Sequence, residues 1–531
     1  MRNIFFLILS CFCLLSVHAQ NETSKDHISL AGIWNFKLDL LNVSIPVKGS
    51  NFVSKFPEEI TLPGSTDQAG KGFKTQDMSS LRLTRMFEYS GAAWYEKESI
   101  FIPESWKDQL LFLFLERVHW ESQVWINGKF VGKEESLSTP HLYDITSYVK
   151  FGDWNTVRIR VDNGNIHDIA YTHAISAETQ TNWNGIIGRM EIQAVSKVHI
   201  TDVQIYPLQK EKRLKIVAQI ANHSNLPVKG DIRIRCHFLN DSQLLHLNEK
   251  NTTFNSSDSL IHLVHYYDLG DKLYTWDEFE PNLYEIDYEI KCCGKSDVQK
   301  IKFGIRDFGT KGTHFTINDI PTFIRGAVNS CEFPITGYPP MSYEEWKKVM
   351  KVYKDYGLNC IRFHSWCPPE SAFQVADELG LYLQVENSDW RFTVGEDEAT
   401  NAFYLDEAQR IIKEYGNHPS FAFFCEGNEL VGKDCVDFLK EMLTEWKKDS
   451  RHLYVAASGY PTVEGSDFFD FYGARPQRWQ EGLKGRFNSQ PLNTRYDYID
   501  YVKKFSIPMV THEIGQWCAY PDFNQISKYI G

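Results

Sequence analysis

Residues 417–430 read NHPSFAFFCEGNEL: a turn, an apolar run of strand length, then two acids, Glu426 and Glu429, on either side of Gly427-Asn428. An unbroken apolar run bounded by turn residues fits a strand buried on both faces, as in a parallel sheet covered by helices. Runs of the same kind recur as TFIRGAV, LNCIRFH, LYLQVEN, LYVAAS, FFDFYGAR and PMVTHE between residues 322 and 513. Helical patterns separate them. Residues 342–356 open on a Ser342/Glu345 capping box, carry Trp346, Val349, Met350 and Tyr353 on one face and stop at Gly357. Residues 431–449 set Cys435, Leu439, Met442, Leu443 and Trp446 in the same way. Strands alternating with helices predict a parallel sheet, and seven such units in series predict a (β/α)8-type barrel rather than an open sheet. A barrel needs eight strands in about 250 residues, so residues 306–531 are expected to form a catalytic barrel missing its last strand. Truncation is the favoured reading, because an open barrel exposes two unpaired edges.

Upstream the pattern is one of strands. From residue 28 to 197 the segments WNFKLD, WYEKESIFI, LLFLFLERV, SQVWINGKFVGK, NTVRIRVDN and RMEIQAV predict an all-β, jelly-roll-like sandwich over residues 20–197. Asn127-Gly128 is a type I′ hairpin signal, since both central positions need positive φ. Residues 198–305, with VHITDVQIYPL, RLKIVAQIAN, GDIRIRCHFL and LYEIDYEIK, predict an immunoglobulin-like sandwich whose turns are segments such as NHSN and NSSDS.

Residues 1–19 combine one Arg, a short apolar stretch and Val17-His18-Ala19, the outline of a secretory signal peptide, too short for a spanning helix. Leu9-Ser10-Cys11 faintly resembles a lipobox, although the segment before it is short. The expected product is exported, periplasmic or secreted, without a membrane span. The chain has 531 residues, 42% of them hydrophobic and 14% aromatic, and is too long for a single core. Its net charge of -13 comes without long blocks of one sign, which argues against nucleic acid or an anionic membrane as partner. The 14 Trp and 26 Tyr suit stacking on sugar rings, though sandwich cores use the same residues. Outside the leader nine cysteines remain, without a CxxC pair, and Cys292-Cys293 reads as two small apolar residues or free thiols rather than a bridge.

Active sites in such barrels lie at the C-terminal strand ends. Arg362 and His364 end the second strand, Glu386 the third, Asn428 and Glu429 the fourth, Tyr472 the sixth and Glu513 the seventh. Two carboxylates facing each other in such a ring suit glycoside hydrolysis: one, kept neutral, protonates the leaving oxygen, and the other attacks the anomeric carbon. His512-Glu513 is not a zinc-protease motif, because HEIGQ has Gln516 where a second His is required.

Several motifs together carry a resemblance. AGIWNFKLD, AAWYEKESIFIPESW, VWINGKFVG with TPHLYDIT, the Trp276–Tyr284 pattern WDEFEPNLY, FTINDIPTFIRGAVN, NCIRFHSWCPPESAFQVADELGLYLQVEN and HPSFAFFCEGNE follow one another in the order found in glycoside hydrolase family 2. The chain resembles that family of β-galactosidases, β-glucuronidases and β-mannosidases over essentially everything after residue 19. The resemblance implies Glu429 as general acid/base, Asn428 as ligand of the sugar 2-hydroxyl and Glu513 as nucleophile. It implies Arg362 orienting Glu513, Tyr472 hydrogen-bonding it and His364 contacting sugar hydroxyls. Trp366, Trp390 and Trp517 are candidate stacking walls, Glu386 is a supporting partner and Glu426 is structural. Departures stand beside the matches: Phe424-Cys425 replaces the frequent Trp-Ser, and RGAVNSCEF offers Ser330-Cys331-Glu332 where galactosidases carry His-Glu, which weakens galactose as the glycone. The expected function is a retaining exo-glycosidase acting on oligosaccharides; no cofactor is implied, no metal-ligand set is compelling, and whether a metal ion assists near Glu429 is left open by the sequence. The alternative is a truncated, catalytically impaired carbohydrate-binding remnant.

Overall fold

Alternation of apolar and polar residues shapes the first part of the chain: in the strand Asp153–Asp162, Asn155, Val157, Ile159 and Val161 are buried while Trp154 is exposed. The structure, a computed structural model, describes residues 26–42, 56–76, 85–169, 171–175, 181–240, 245–246, 248–271, 273–333, 335–471, 499–513 and 522–528. A six-stranded antiparallel sheet containing Gly32–Asp39, Ala92–Ile102, Glu121–Ile126 and Asp153–Asp162 packs against a five-stranded one containing Leu110–His119 and Gly185–Val195. Trp34, Phe36, Tyr95, Leu113, Val124, Ile159 and Met190 fill the core between them, the arrangement of a β-sandwich. Asn127 and Gly128 both have positive φ, 51° and 77°, and join Ile126 to Lys129, as the hairpin signal predicts.

A second core, with Ile200, Ile216, Ile232, Tyr284 and Ile286, lies between a three-stranded sheet and a five-stranded sheet over residues 198–303. Three of its strands, Lys250–Ser256, Leu260–Asp268 and Lys295–Phe303, are absent from the sequence reading. KNTTFNS buries a single apolar side chain, Phe254, so its pattern alone carries almost no signal. The described cysteines are free thiols, Cys292 and Cys293 among them.

The parallel strands are preceded by a three-stranded antiparallel sheet, Phe308–Lys311, His314–Ile317 and Ile320–Thr322, which takes in FTINDIPT. Asn318-Asp319, both at positive φ (53° and 65°), turn the second hairpin and pair Ile317 with Ile320. Then come Gly326–Asn329, Cys360–Phe363, Tyr382–Asp389, Phe421–Gly427 and Leu453–Val455, a five-stranded parallel sheet in sequence order. Ser458–Gly459, Phe469–Phe471 and Met509–Thr511 form a three-stranded parallel sheet, and an Asn428–Ser458 bridge links the two.

Helices α1 (Tyr343–Asp355), α2 (Glu370–Leu379), α3 (Glu398–Tyr415) and α4 (Cys435–Trp446) lie between these strands. Ser342 caps α1, its Oγ accepting from Glu345 N as in a capping box, and the same hydroxyl donates to the Glu345 carboxylate in place of the motif's backbone N–H. The sequence reading starts α4 at residue 431, but the chain there is engaged elsewhere. Val431 N donates to Arg391 O at 3.1 Å, and a Cβ on Gly432 would lie 2.3 Å from Val394 O. The helix therefore starts only at Cys435.

The core of the parallel-strand unit, around Trp346, Met350, Phe363 and Phe373, takes in Trp120, Leu137 and Ile169 of the first sandwich. Polar contacts reinforce that junction: Tyr415 OH donates to Ser138 O at 2.7 Å, and Leu137 N to Glu407 Oε1 at 3.0 Å. Among the described residues no helix is long and apolar enough to cross a membrane.

His418, just before the strand Phe421–Gly427, locks that strand to α2 through Asp377 (2.6 Å) and Glu370 (3.2 Å). Burial would lower its pKa, but these two carboxylates outweigh burial and hold it up to about 10. A folded-state pKa above the unfolded value of about 6.5 stabilises fully below that value, and the contribution is lost as pH rises to the folded pKa. The stability deficit of His418→Gln relative to wild type, measured by urea unfolding across pH, is therefore expected to be large near pH 6 and to shrink towards pH 10.

Candidate active site

The strand Cys360–Phe363 carries Arg362 into the ring of strand ends, where it is 8% exposed. Its guanidinium reaches three neighbouring elements. Nε donates to Glu386 Oε1 at 2.6 Å, one terminal nitrogen to Asn428 Oδ1 at 2.7 Å, and the other to Glu513 Oε1 at 3.3 Å. Asp470 Oδ2 lies 3.8 Å from Nε. Burial alone would make Arg362 easier to deprotonate, but Glu386 and Asp470 raise its pKa above the ordinary value and keep it charged. Glu386 is fully buried, accepts also from Ser365 N at 2.6 Å and Ser458 Oγ at 2.7 Å, and is held ionised against burial chiefly by Arg362.

Glu429 and Glu513 share a backbone feature. Both sit just past a strand at left-handed φ, 47° and 48°, a conformation uncommon for residues other than glycine and costly by about 1–2 kcal/mol. Glu429 N donates to Ser458 O at 2.8 Å, which fixes the turn. An oxygen of Glu429, a nitrogen of His512 and an oxygen of Glu513 all lie within 4.8 Å of one another. Burial would raise the Glu513 pKa, but the hydrogen bond from His364 and the charges of His512 and Arg362 hold it well below the usual carboxylate range. His364 Nε2 is 3.1 Å from Glu513 Oε1, within hydrogen-bond reach of that carboxylate, and burial together with Arg362 lowers the His364 pKa. Asn428 Nδ2 is buried and has no hydrogen-bond partner among the described residues.

Arg362, His364, Glu429, Asp470, His512 and Glu513 line a cavity of about 1270 Å³, together with Trp390 and His173. Trp390 packs on the His364 ring at 4.9 Å between centroids. His173, which the sequence reading missed, comes from the first sandwich and lies 4.5 Å from His364 and 5.6 Å from Trp390. It is held by Ser365, whose Oγ accepts from His173 N at 3.0 Å and whose carbonyl accepts from Thr172 Oγ1 at 2.7 Å. Nothing in IAYTHAI marks it: it belongs to a long connection between strands, where function often lies but local sequence gives no pattern.

Of the sequence candidates, Arg362, His364, Trp390, Asn428, Glu429 and Glu513 come together, while Tyr472 and Trp517 lie outside the described residues. Trp366 is no cavity wall: it is 3% exposed in the core, stacked near Trp346, with Nε1 donating to Asn329 O. Glu426 is fully buried and accepts from Asn387 Nδ2 at 3.1 Å, behind the strand rather than in the ring. Asp470, missed as well, had a visible signal, being an acid in the middle of FFDFYGAR. The spacing of Glu429, His512 and Glu513 would admit a cation. The His512 pKa is raised, Asp470 and Glu429 outweighing burial.

Two antiparallel sandwiches followed by parallel strands whose ends gather carboxylates around an arginine define a class of multidomain protein with an acid-lined cavity. Residues 28–189 match the family model "Glycosyl hydrolases family 2, sugar binding domain", and residues 198–306 match "Glycosyl hydrolases family 2". The chain belongs to glycosyl hydrolase family 2. It is 26% identical over 377 residues to a β-galactosidase of Priestia megaterium, covering 66% of this chain and 35% of that protein. It is 24% identical over 509 residues to a putative β-glucuronidase of Formosa agariphila, covering 92% and 56%. The chain thus spans about half the length, or less, of these curated relatives. A solved β-D-glucuronidase of Dictyoglomus thermophilum shares the fold with a TM-score of 0.71 at 19% identity, covering 94% of this chain and 84% of that one.

Replacing Arg362 by Met leaves Glu386 and Asp470 buried without their cation. Truncating one partner of a buried ionic network costs about 3–5 kcal/mol, and urea unfolding of Arg362→Met is expected to show a loss of that order.

Proposed function

We propose that this chain carries the catalytic site of a retaining exo-glycosidase that hydrolyses terminal glycosidic bonds of oligosaccharides. The observation that carries the reading is the Glu429/Glu513 pair: carboxylate oxygens within 4.8 Å, one of the two acids held ionised. Retaining glycosidases hold their carboxyl groups about 5–5.5 Å apart, whereas inverting ones need about 6.5–9.5 Å to admit a water between them. In this reading Glu513, ionised against Arg362 and His364, attacks the anomeric carbon. The bond from that carbon to the leaving oxygen breaks while Glu429 gives that oxygen its proton. Water then attacks the same carbon, gives a proton to Glu429 and frees Glu513.

Asn428 fits a role at the sugar 2-hydroxyl. Its Oδ1 is occupied by Arg362, and its Nδ2 donor awaits an acceptor. Trp390 and His364 suit contact with the ring and hydroxyls of the glycone, and Tyr472 and Trp517 keep the roles the family resemblance gives them. The parallel strands from Gly326 to Thr511, in sequence order, support an arc of a (β/α)8 barrel. The names of the relatives put galactose and glucuronic acid first among the glycones to test. The leader-like residues 1–19 support export to the periplasm or beyond.

The test is hydrolysis of 4-nitrophenyl β-D-glucuronide, β-D-galactoside and β-D-mannoside. Glu513→Ala is expected to abolish turnover. Glu429→Ala is expected to lower kcat/KM by about 10²–10⁴-fold on poor leaving groups, with partial rescue by azide. NMR of the first-formed sugar should show the β anomer; an α anomer would overturn retention. Sugar binding without any turnover would replace the enzyme reading with that of a carbohydrate-binding protein.

A further inference from the structure

Beside the two acids lies a group that the two-carboxylate reading leaves without a role. His512 is 1% exposed. Its Nε2 is 3.4 Å from Glu429 Oε1 and 3.3 Å from Glu513 Oε1, and its Nδ1 is 3.4 Å from Asp470 Oδ1. Neither nitrogen makes a directional hydrogen bond among the described residues, so these contacts are chiefly electrostatic. Asp470 is 2% exposed and is itself fixed by Ser458 Oγ at 2.7 Å and Gln384 Nε2 at 3.2 Å. The backbone is shaped to admit the ring. At Gly459, with φ +85°, a Cβ would lie 2.9 Å from Glu429 Cγ and 3.0 Å from His512 Nε2, closer than such atoms pack. Any side chain at position 459 would push the imidazole and Glu429 apart.

We infer that His512, backed by Asp470, is a positioning residue whose ring puts a positive charge beside both Glu429 and Glu513 and lowers the proton affinity of each. The inference rests on the two-carboxylate reading above. The charged and titratable groups around the ring are Glu429, Glu513 and Asp470 in contact, with Arg362, Glu386, His364 and His173 beyond them. With Glu429 protonated as the acid, three carboxylates, Glu386, Asp470 and Glu513, face the single guanidinium of Arg362. An imidazolium supplies the second cation. The raised proton affinity of His512, for which Asp470 is the largest cause opposing burial, agrees with that state. The charge also matters between the two chemical steps. Once Glu513 is esterified its negative charge is gone, the imidazolium then acts on Glu429 alone, and it favours the carboxylate that must take a proton from water.

Two measurements decide the point. In protein labelled with ¹⁵N-histidine, the signal that disappears in His512→Gln should remain protonated at pH 7 and titrate above the ordinary histidine range, and it should return towards that range in Asp470→Asn. A neutral ring at pH 6 overturns the inference. On whichever 4-nitrophenyl glycoside wild type hydrolyses, His512→Gln should move both limbs of the kcat/KM profile to higher pH by about one to three units, because removing a cation raises the pKa of nucleophile and acid alike. A lowered rate with unmoved limbs means that His512 only packs, and overturns the inference while the two-carboxylate reading stands. Should wild type hydrolyse none of the glycosides, that reading falls, and the NMR titration alone decides the protonation of His512. If His512→Gln does not fold, His512→Asn and Asp470→Asn serve the same two readouts.

Discussion

The buried guanidinium of Arg362 is the constraint on which the site depends. A cation sequestered from water must be matched by fixed negative charge and filled hydrogen-bond positions, or it is expelled. Here the matching groups come from several other strand ends: Glu386, Asn428, Glu513 and, at longer range, Asp470. Those ends are therefore held in register by electrostatics as well as by backbone pairing. The network continues outward. Glu386 accepts from Ser365 N, and Ser365, itself at a left-handed φ of 51°, receives Thr172 and His173 of the first sandwich. One chain of polar contacts thus runs from the centre of the ring to a different module.

Glu429 and Glu513 add a second layer to that constraint. Each occupies a strained backbone region at the end of a parallel strand, and such strain persists only where the surroundings over-determine it. Glu429 is fixed by the carbonyl of Ser458 and packs closely against Gly459, where no Cβ intervenes; Glu513 is fixed by Arg362 and His364. The left-handed turn brings both carboxylates towards the same imidazole instead of letting them follow their strands outward.

Much of this was legible in the sequence where the signal is local. The Ser342/Glu345 box, the Asn127-Gly128 hairpin and the apolar runs ending in Arg362, Glu386 and Asn428-Glu429 each express chemistry that operates within a few residues. What escaped depends on partners far away in the chain. Lys250–Ser256 is a strand because Val228–Phe238 pairs with it, not because KNTTFNS is apolar. The start of α4 is delayed by the segment around Arg391 and Val394. FTINDIPT folds back as a hairpin through Asn318-Asp319, whose positive φ turns the chain before the parallel strands begin. His173 becomes part of the cavity only because Ser365 receives its loop.

The shared core at the junction of sandwich and parallel strands has a consequence for inheritance. Trp120, Leu137 and Ile169 pack among Trp346, Phe363 and Phe373 as members of one hydrophobic cluster, and His173 reaches the acid-lined cavity from the same sandwich. A genetic exchange that swapped the first sandwich for a relative's would therefore replace part of the core and one wall of the cavity in a single event. Such an exchange keeps the junction packed only when the incoming sandwich brings apolar residues that fill the same three places.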